Sequence, residues 1–191
     1  MTDKLIIHPD EEPVTLAEMR AMLGIVDDDD TGRDTVIALR IISVRNLCET
    51  YTRRAFVTQT WTRYADRFAS AIDLKSDLQT INSVKYIDTN GALQTLDPAI
   101  YSVNTVDHRL ELAYGQTWPD TRFESNAVRV EYVCGYGDPD EVPEPIKDAI
   151  KFWVAQWENY QSSIEGAVSV RTMPYAVEQI LRQYKDFRGS I

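Results

Sequence analysis

The residues of this chain with chemistry to offer are few: His8, His108, Cys48, Cys134 and an acidic run from Asp27 to Asp30. Asp107 beside His108 is a fragment of the pair that orients an imidazole base in a hydrolase, but no Gly-x-Ser-x-Gly elbow supplies a nucleophile. Asp27, Asp29, Thr31 and Gly32 match the opening of an EF-hand loop. The position that should bring a bidentate glutamate is Ala38, however, and no second loop exists. Carboxylates at that place have a simpler use, since they stabilise the positive end of a following helix, with Asp30 or Thr31 as its cap. Gly135-Tyr136-Gly137 lacks the third glycine and the strand–helix context of a dinucleotide site, so it reads as a turn. Neither Gly24 nor Gly32 stands in a phosphate-binding loop, and no closely spaced Cys/His set could hold zinc. Carboxylate pairs for glycoside hydrolysis are defined by geometry in space, and nothing in the sequence singles one out. The reading is a protein without catalytic residues, cofactor or metal, and Cys48 reads as a small buried thiol suited to a reducing cytoplasm.

The elements that would position such residues follow from periodicity. Ile37, Ile41, Val44, Cys48 and Tyr51 recur at steps of four and three, which predicts a long helix over about residues 33–54. Val36, Leu39 and Leu47 are expected to widen its apolar stripe, with Arg40, Arg45, Asn46 and Glu49 mostly off it. Arg53 and Arg54 complement its negative end. Ile146, Ile150, Trp153, Trp157 and Tyr160 repeat the same spacing, predicting a partner helix over about 144–162 with prolines tolerated at its start. Ahead of these, Thr15 to Glu18 fits a capping box and Gly24 a left-handed stop, giving a short helix over 15–23. Leu5 to Ile7 is a possible edge strand. Between the long helices, β-branched and aromatic runs at 56–64, 71–74, 83–88, 92–96, 101–104, 109–112 and 127–133 predict short strands, with Asn90-Gly91 as a tight hairpin turn. Trp118-Pro119 reads as a loop anchor. Gly166 and Ser169 mark a flexible connection to a last helix that opens at Pro174, with Val177, Ile180, Leu181 and Tyr184 on one side. The fold class is therefore α+β: a helical body of 1–55 and 135–191 carrying a β-rich insert of 56–134.

Composition bounds the rest. With 43% hydrophobic and 26% charged residues the chain reads as a globular protein, and no apolar run approaches the roughly 20 residues needed to span a bilayer. The N-terminus has neither the basic start nor the apolar core of a signal peptide. The net charge of −10 argues against tight wrapping of nucleic acid, which needs clustered Lys and Arg. It is unevenly spread, acidic over residues 1–30 and basic over 171–191, which could orient identical subunits or a partner.

Several segments together resemble the head–tail connector proteins of tailed bacteriophages and gene transfer agents, also called adaptor or head-completion proteins. They are Pro13 to Glu18, Tyr51 to Phe56 with Gln59-Thr60-Trp61, Tyr114 to Pro119, Val128 to Pro139 running into Val142 to Lys147, and Met173-Pro174-Tyr175. Each is weak alone; their order and spacing carry the likeness across nearly the whole chain. The resemblance implies a structural ring of identical subunits, generally twelve, made in the host bacterial cytoplasm and seated in the particle neck. There it would link the portal protein to the next tail component, a stopper or tail terminator, around a channel that DNA crosses without specific binding, and with no membrane contact. It implies portal docking through the C-terminal segment, mapped here onto Tyr175, Ile180, Leu181, Arg182, Tyr184, Lys185, Phe187, Arg188 and Ile191. On that view the segment is separable, and truncation after Met173 leaves a folded body. Arg40 and Arg45, with Asp28 and Asp29, are the expected subunit-interface residues. A second reading, motivated by the charge, is an acidic DNA mimic or inhibitor of a nuclease or DNA-binding protein. A third is a hydrolase built on His108.

Overall fold

A computed structural model describes residues 1–26, 31–161 and 173–188, without the side chains of Tyr160 and Gln161. The fold is α+β, divided into a helical unit of residues 10–57 and 137–187 and a β unit of residues 1–9 and 58–136 that also includes Arg188.

The helical unit begins with α1 (Leu16–Leu23). The Thr15 hydroxyl accepts from the Glu18 N–H at 3.2 Å while the Glu18 carboxylate accepts from the Thr15 N–H at 2.7 Å, so two orphan amides at the helix start are satisfied reciprocally. Gly24 at φ 65° closes the helix. The long helix α2 (Thr31–Thr52) buries Ile37, Ile41, Val44 and Cys48. It stops two residues earlier than periodicity predicts, because Arg53 turns left-handed at φ 61°. Arg54 lies past that stop, and its Nε donates to the Tyr184 carbonyl at 2.6 Å. Val36, Leu39 and Leu47 do not widen the buried stripe: they are exposed. At 100° per residue Leu39 points to the opposite side of the helix, while Val36 and Leu47 stand on the flank of the stripe.

α3 (Glu144–Gln161) packs on α2, as the matched spacing predicts, and buries Ile146, Ala149, Ile150, Trp153 and Val154. The Pro143 carbonyl accepts from the Ile146 N–H at 2.9 Å, so the helix begins directly after that proline. α4 (Tyr175–Arg182) packs on α3 and α2 and closes the same core with Val177 and Leu181, both fully buried. Truncation after Met173 would therefore uncover apolar core. The expectation that it leaves an intact body is corrected here: the segment is a structural part of the unit.

The β unit holds a five-stranded antiparallel sheet in the order β1-β2-β8-β4-β5 and a three-stranded one, β3-β7-β6. The strands are β1 (Thr2–Ile7), β2 (Gln59–Ala65), β3 (Ala71–Asp73), β4 (Leu78–Ile87), β5 (Leu93–Thr95), β6 (Tyr101–Asn104), β7 (Arg109–Leu112) and β8 (Val128–Cys134). Central β8 alternates strictly, burying Val128, Val130, Tyr132 and Cys134, as a strand with one face in a core must. In the smaller sheet Ile72 stands opposite Leu110, both fully buried. β4 starts five residues before its predicted beginning, and two register shifts, between Leu78 and Thr80 and between Ile81 and Ser83, break the alternation there.

Residues 1–9 belong to the β unit rather than the helical one. β1 pairs with β2 from Thr2 opposite Tyr64 to Ile7 opposite Thr60, and Arg63 on β2 grips Asp3 through its Nε and, at 2.6 Å, its Nη2. At the predicted hairpin turn only Gly91 takes a positive φ, 87°; the Asp88 carboxylate holds the loop by accepting from the Asn90 and Ala92 N–H groups, each at 2.9 Å.

Leu181→Ala should destabilise the protein by about 2–5 kcal/mol, the usual range for emptying a core leucine site. Chemical denaturation checks this, and a loss below about 1 kcal/mol would show that α4 is not integral to the core.

Candidate assembly surfaces

His108 and the two cysteines have structural places. His108, at φ 52°, accepts the Leu78 N–H on its Nδ1 at 3.3 Å, and the neighbouring Asp107 carbonyl accepts from the Arg188 guanidinium at 2.6 Å. Cys48 and Cys134 are buried, and burial pushes the Cys48 thiol well above its ordinary range. Tyr132 is pushed up in the same way, by burial and then by the Asp3 carboxylate. Gly137, at φ 136°, leaves no room for a side chain, since a Cβ there would meet the Glu141 carboxylate. That carboxylate accepts from the Asp138 N–H at 2.9 Å, which supports the turn reading of the glycine pair. Among the described residues no group of three or more His, Cys, Asp or Glu could hold a metal ion. No described helix is long and apolar enough to cross a membrane. What remains to consider is surface.

Two of the four expected subunit-interface residues lie inside the helical unit. Arg45 is 1% exposed. Its Nε and Nη2 donate to the two Glu12 oxygens at 2.6 and 3.1 Å, and its Nη1 donates to Glu49 at 2.8 Å and to the Asn46 side-chain carbonyl at 3.2 Å. Burial alone would lower its pKa; the two carboxylates outweigh that and hold it above its ordinary value. Arg40, 9% exposed, donates to Glu158 of α3, and burial lowers its pKa. Both guanidiniums therefore have partners within the chain. Asp28 and Asp29, together with Asp27 and Asp30, lie outside the described residues. Sequence reading missed Glu12 as the main partner of Arg45, because 33 positions separate them.

The residues mapped for docking are mixed in their placement. Leu181 is core; Ile180 and Tyr184 are half-buried; Tyr175 and Phe187 are 75% and 65% exposed, and Arg182 is exposed. The Lys185 ammonium lies 4.5 Å above the Tyr51 ring, and the Asp186 N–H donates to the Thr52 carbonyl at 2.8 Å. Arg188 donates to the Asp107 carbonyl and the Ser76 hydroxyl. Ile191 is outside the described residues.

In the β unit the most exposed aromatic groups are at loops, while Ile6, Ile7, Leu93 and Val103 are exposed on strands. Tyr114 and Phe123 are fully exposed, and Val106 nearly so. Phe123 lines an open groove of about 550 Å³ with Asp66, Arg67, Arg122 and Glu124, whose charges balance. Trp118 anchors its loop by stacking on Phe68 at 4.6 Å between ring centres.

Arg45→Ala should cost about 3–5 kcal/mol, because it strands two carboxylates without their cation. Denaturation should also show part of that loss recovered when Glu12→Gln and Glu49→Gln are added.

No family model matches this chain, and no curated protein does. Solved structures do match. A chain from the neck of an empty GTA particle, computed with C6 symmetry, is 18% identical with a TM-score of 0.77, covering 98% of this chain and 97% of that one. A chain from the virion of a native gene transfer agent particle is 18% identical with a TM-score of 0.76 at the same coverage. One from the neck of a native GTA particle, computed with C12 symmetry, is 16% identical with a TM-score of 0.69. At these identities the likeness is one of fold, and it runs through both units: this chain has the fold of a chain found in gene transfer agent particles.

Proposed function

We propose that this chain is a structural adaptor of the particle neck in a tailed bacteriophage or gene transfer agent. It forms a ring of identical subunits, generally twelve, beneath the portal protein, and links the DNA-filled head to the next tail component. The observation that carries this is the fold likeness over 98% of the chain to chains of particle necks solved with C6 and C12 symmetry. The net charge of −10 supports it, since a wall around a DNA channel must not hold the phosphate backbone. The acidic mimic is the less favoured reading: Glu12, Glu49 and Glu158 are engaged by the chain's own arginines rather than displayed along a surface.

Docking on the portal is assigned to the displayed part of the C-terminal segment, with Tyr175 and Phe187 as aromatic anchors and Arg182 beside them. Ile180, Tyr184 and Lys185 support it from half-buried positions, while Leu181 holds the segment to the core.

A tagged copy expressed in the producing bacterium should purify with particles and be seen as a ring in the neck by electron microscopy. Recovery only in the particle-free fraction, bound to a nuclease or DNA-binding protein, would refute the adaptor reading. Joint Tyr175→Ala and Phe187→Ala substitution should lower association with portal-bearing heads about tenfold or more while leaving the melting temperature within a few degrees. Unchanged head binding by that variant would reject the docking assignment alone.

A further inference from the structure

The solvent side of α2 is inverted relative to an ordinary surface helix. At 100° per residue, Val36, Leu39, Ile42, Ser43, Leu47 and Thr50 fall on one arc, and all six are exposed. No residue of that arc carries a charge. The charged residues of the helix, Arg33, Asp34, Arg40, Arg45 and Glu49, all lie on the remaining arc. Most are paired within the unit: Asp34 with Arg20 at 2.5 Å, Arg40 with Glu158, and Arg45 with Glu12 and Glu49.

The hydroxyls of the exposed arc bond back to their own helix. The Ser43 hydroxyl donates to the Leu39 carbonyl and that of Thr50 to the Asn46 carbonyl, each at 2.8 Å, while the Asn46 side-chain carbonyl accepts from Arg45. Hydroxyls bonded to the preceding turn are satisfied within the helix and need no partner outside it. The surface offers a stripe of methyl and methylene groups about 27 Å long, from Gly32 to Thr50 at about 1.5 Å per residue.

We propose that this face of α2 packs against a second copy of the chain. Charge selects that occupant. Nucleic acid or a basic protein would be held by displayed charge, which the face lacks. A like-charged copy at −10 approaches with least repulsion where the surface presents no carboxylates, as on this face. Closure into a ring takes a heterologous contact, in which two different patches of one subunit meet. The helical unit also exposes single apolar side chains on other helices, Phe152 of α3 at 51% and Met22 of α1 at 42%. The proposal rests on the ring reading above and gives it a surface. One helix face is smaller than the roughly 800 Å² per partner of a standard interface, so isolated pairs are weak and ring closure strengthens them.

Sedimentation velocity of the full chain tests this over about 10 μM to 1 mM, in about 0.05 M and 1 M NaCl, where the screening length falls from over 10 Å to about 3 Å. The mean mass should rise with concentration, and more strongly at high salt. Leu39→Glu should move that rise at least tenfold higher in concentration with an unchanged melting curve. A Ser43→Cys variant presents an accessible thiol, since Cys48 and Cys134 are buried, and its alkylation by a maleimide should slow as the mass rises. A monomer throughout both salt series, wild-type association of Leu39→Glu, or alkylation indifferent to association would each overturn the proposal. Leu39→Glu chains that still form neck rings would reject this face and leave the adaptor reading standing. Self-association through this face by a protein absent from particles would do the reverse.

Discussion

A full positive charge sits at 1% exposure in the helical unit, and much of that unit is arranged around it. The Arg45 guanidinium cannot shed its proton, so burial is tolerable only if carboxylates meet it with good geometry. Glu12 does so from the segment before α1, and Glu49 from one turn along α2. Glu49 also accepts the Phe56 N–H at 2.8 Å, so its two oxygens tie the guanidinium to the backbone just after the helix. One charge cluster thereby fixes how the chain arrives at α1 and how it leaves α2. Such a cluster contributes little net stability beside an apolar core of equal volume. What it supplies is alignment, since misplacing either flanking segment leaves a charge unanswered.

The same arrangement explains why α2 has so little ordinary amphipathicity. A helix whose cations are drawn inward has to build its outer side from something else, and here that is carbon and self-bonded hydroxyls. A monomer in water gains nothing from such a face, because exposed leucine and isoleucine there bring no burial. In the proposed assembly, the inward salt bridges and the outward contact would be tied together through a single helix.

What could be read from the sequence was what is settled locally. The Thr15–Glu18 box, the stop at Gly24, the strands at Tyr101–Asn104 and Arg109–Leu112, and the pairing of α2 with α3 all follow from neighbours or a regular period. The membership of β1 and the Arg45 pairs were hidden because their partners stand dozens of residues away, and a charge does not advertise which distant charge will answer it. The bulges of β4 erased the alternation that would have revealed its first half. The outer face of α2 is a different kind of miss. The angle placed Leu39 outward and left Val36 and Leu47 on the flank, but all three were assigned inward because they are apolar. The rule that buried residues are apolar does not run in reverse.

The attachment of the segment that follows α4 has a mechanical consequence. Asp186 is bonded through its N–H to the Thr52 carbonyl, and Arg54 reaches the Tyr184 carbonyl, so two hydrogen bonds rivet the segment after α4 to the end of α2. Behind the rivets, Val177 and Leu181 are sunk in the core. A pull on the C-terminal segment therefore cannot simply peel it away, because the load passes first into the rivets and then along the long helix. Tension applied at one end of the subunit is delivered to the helix whose outer face is bare of charge, which makes α2 a strut as well as a surface.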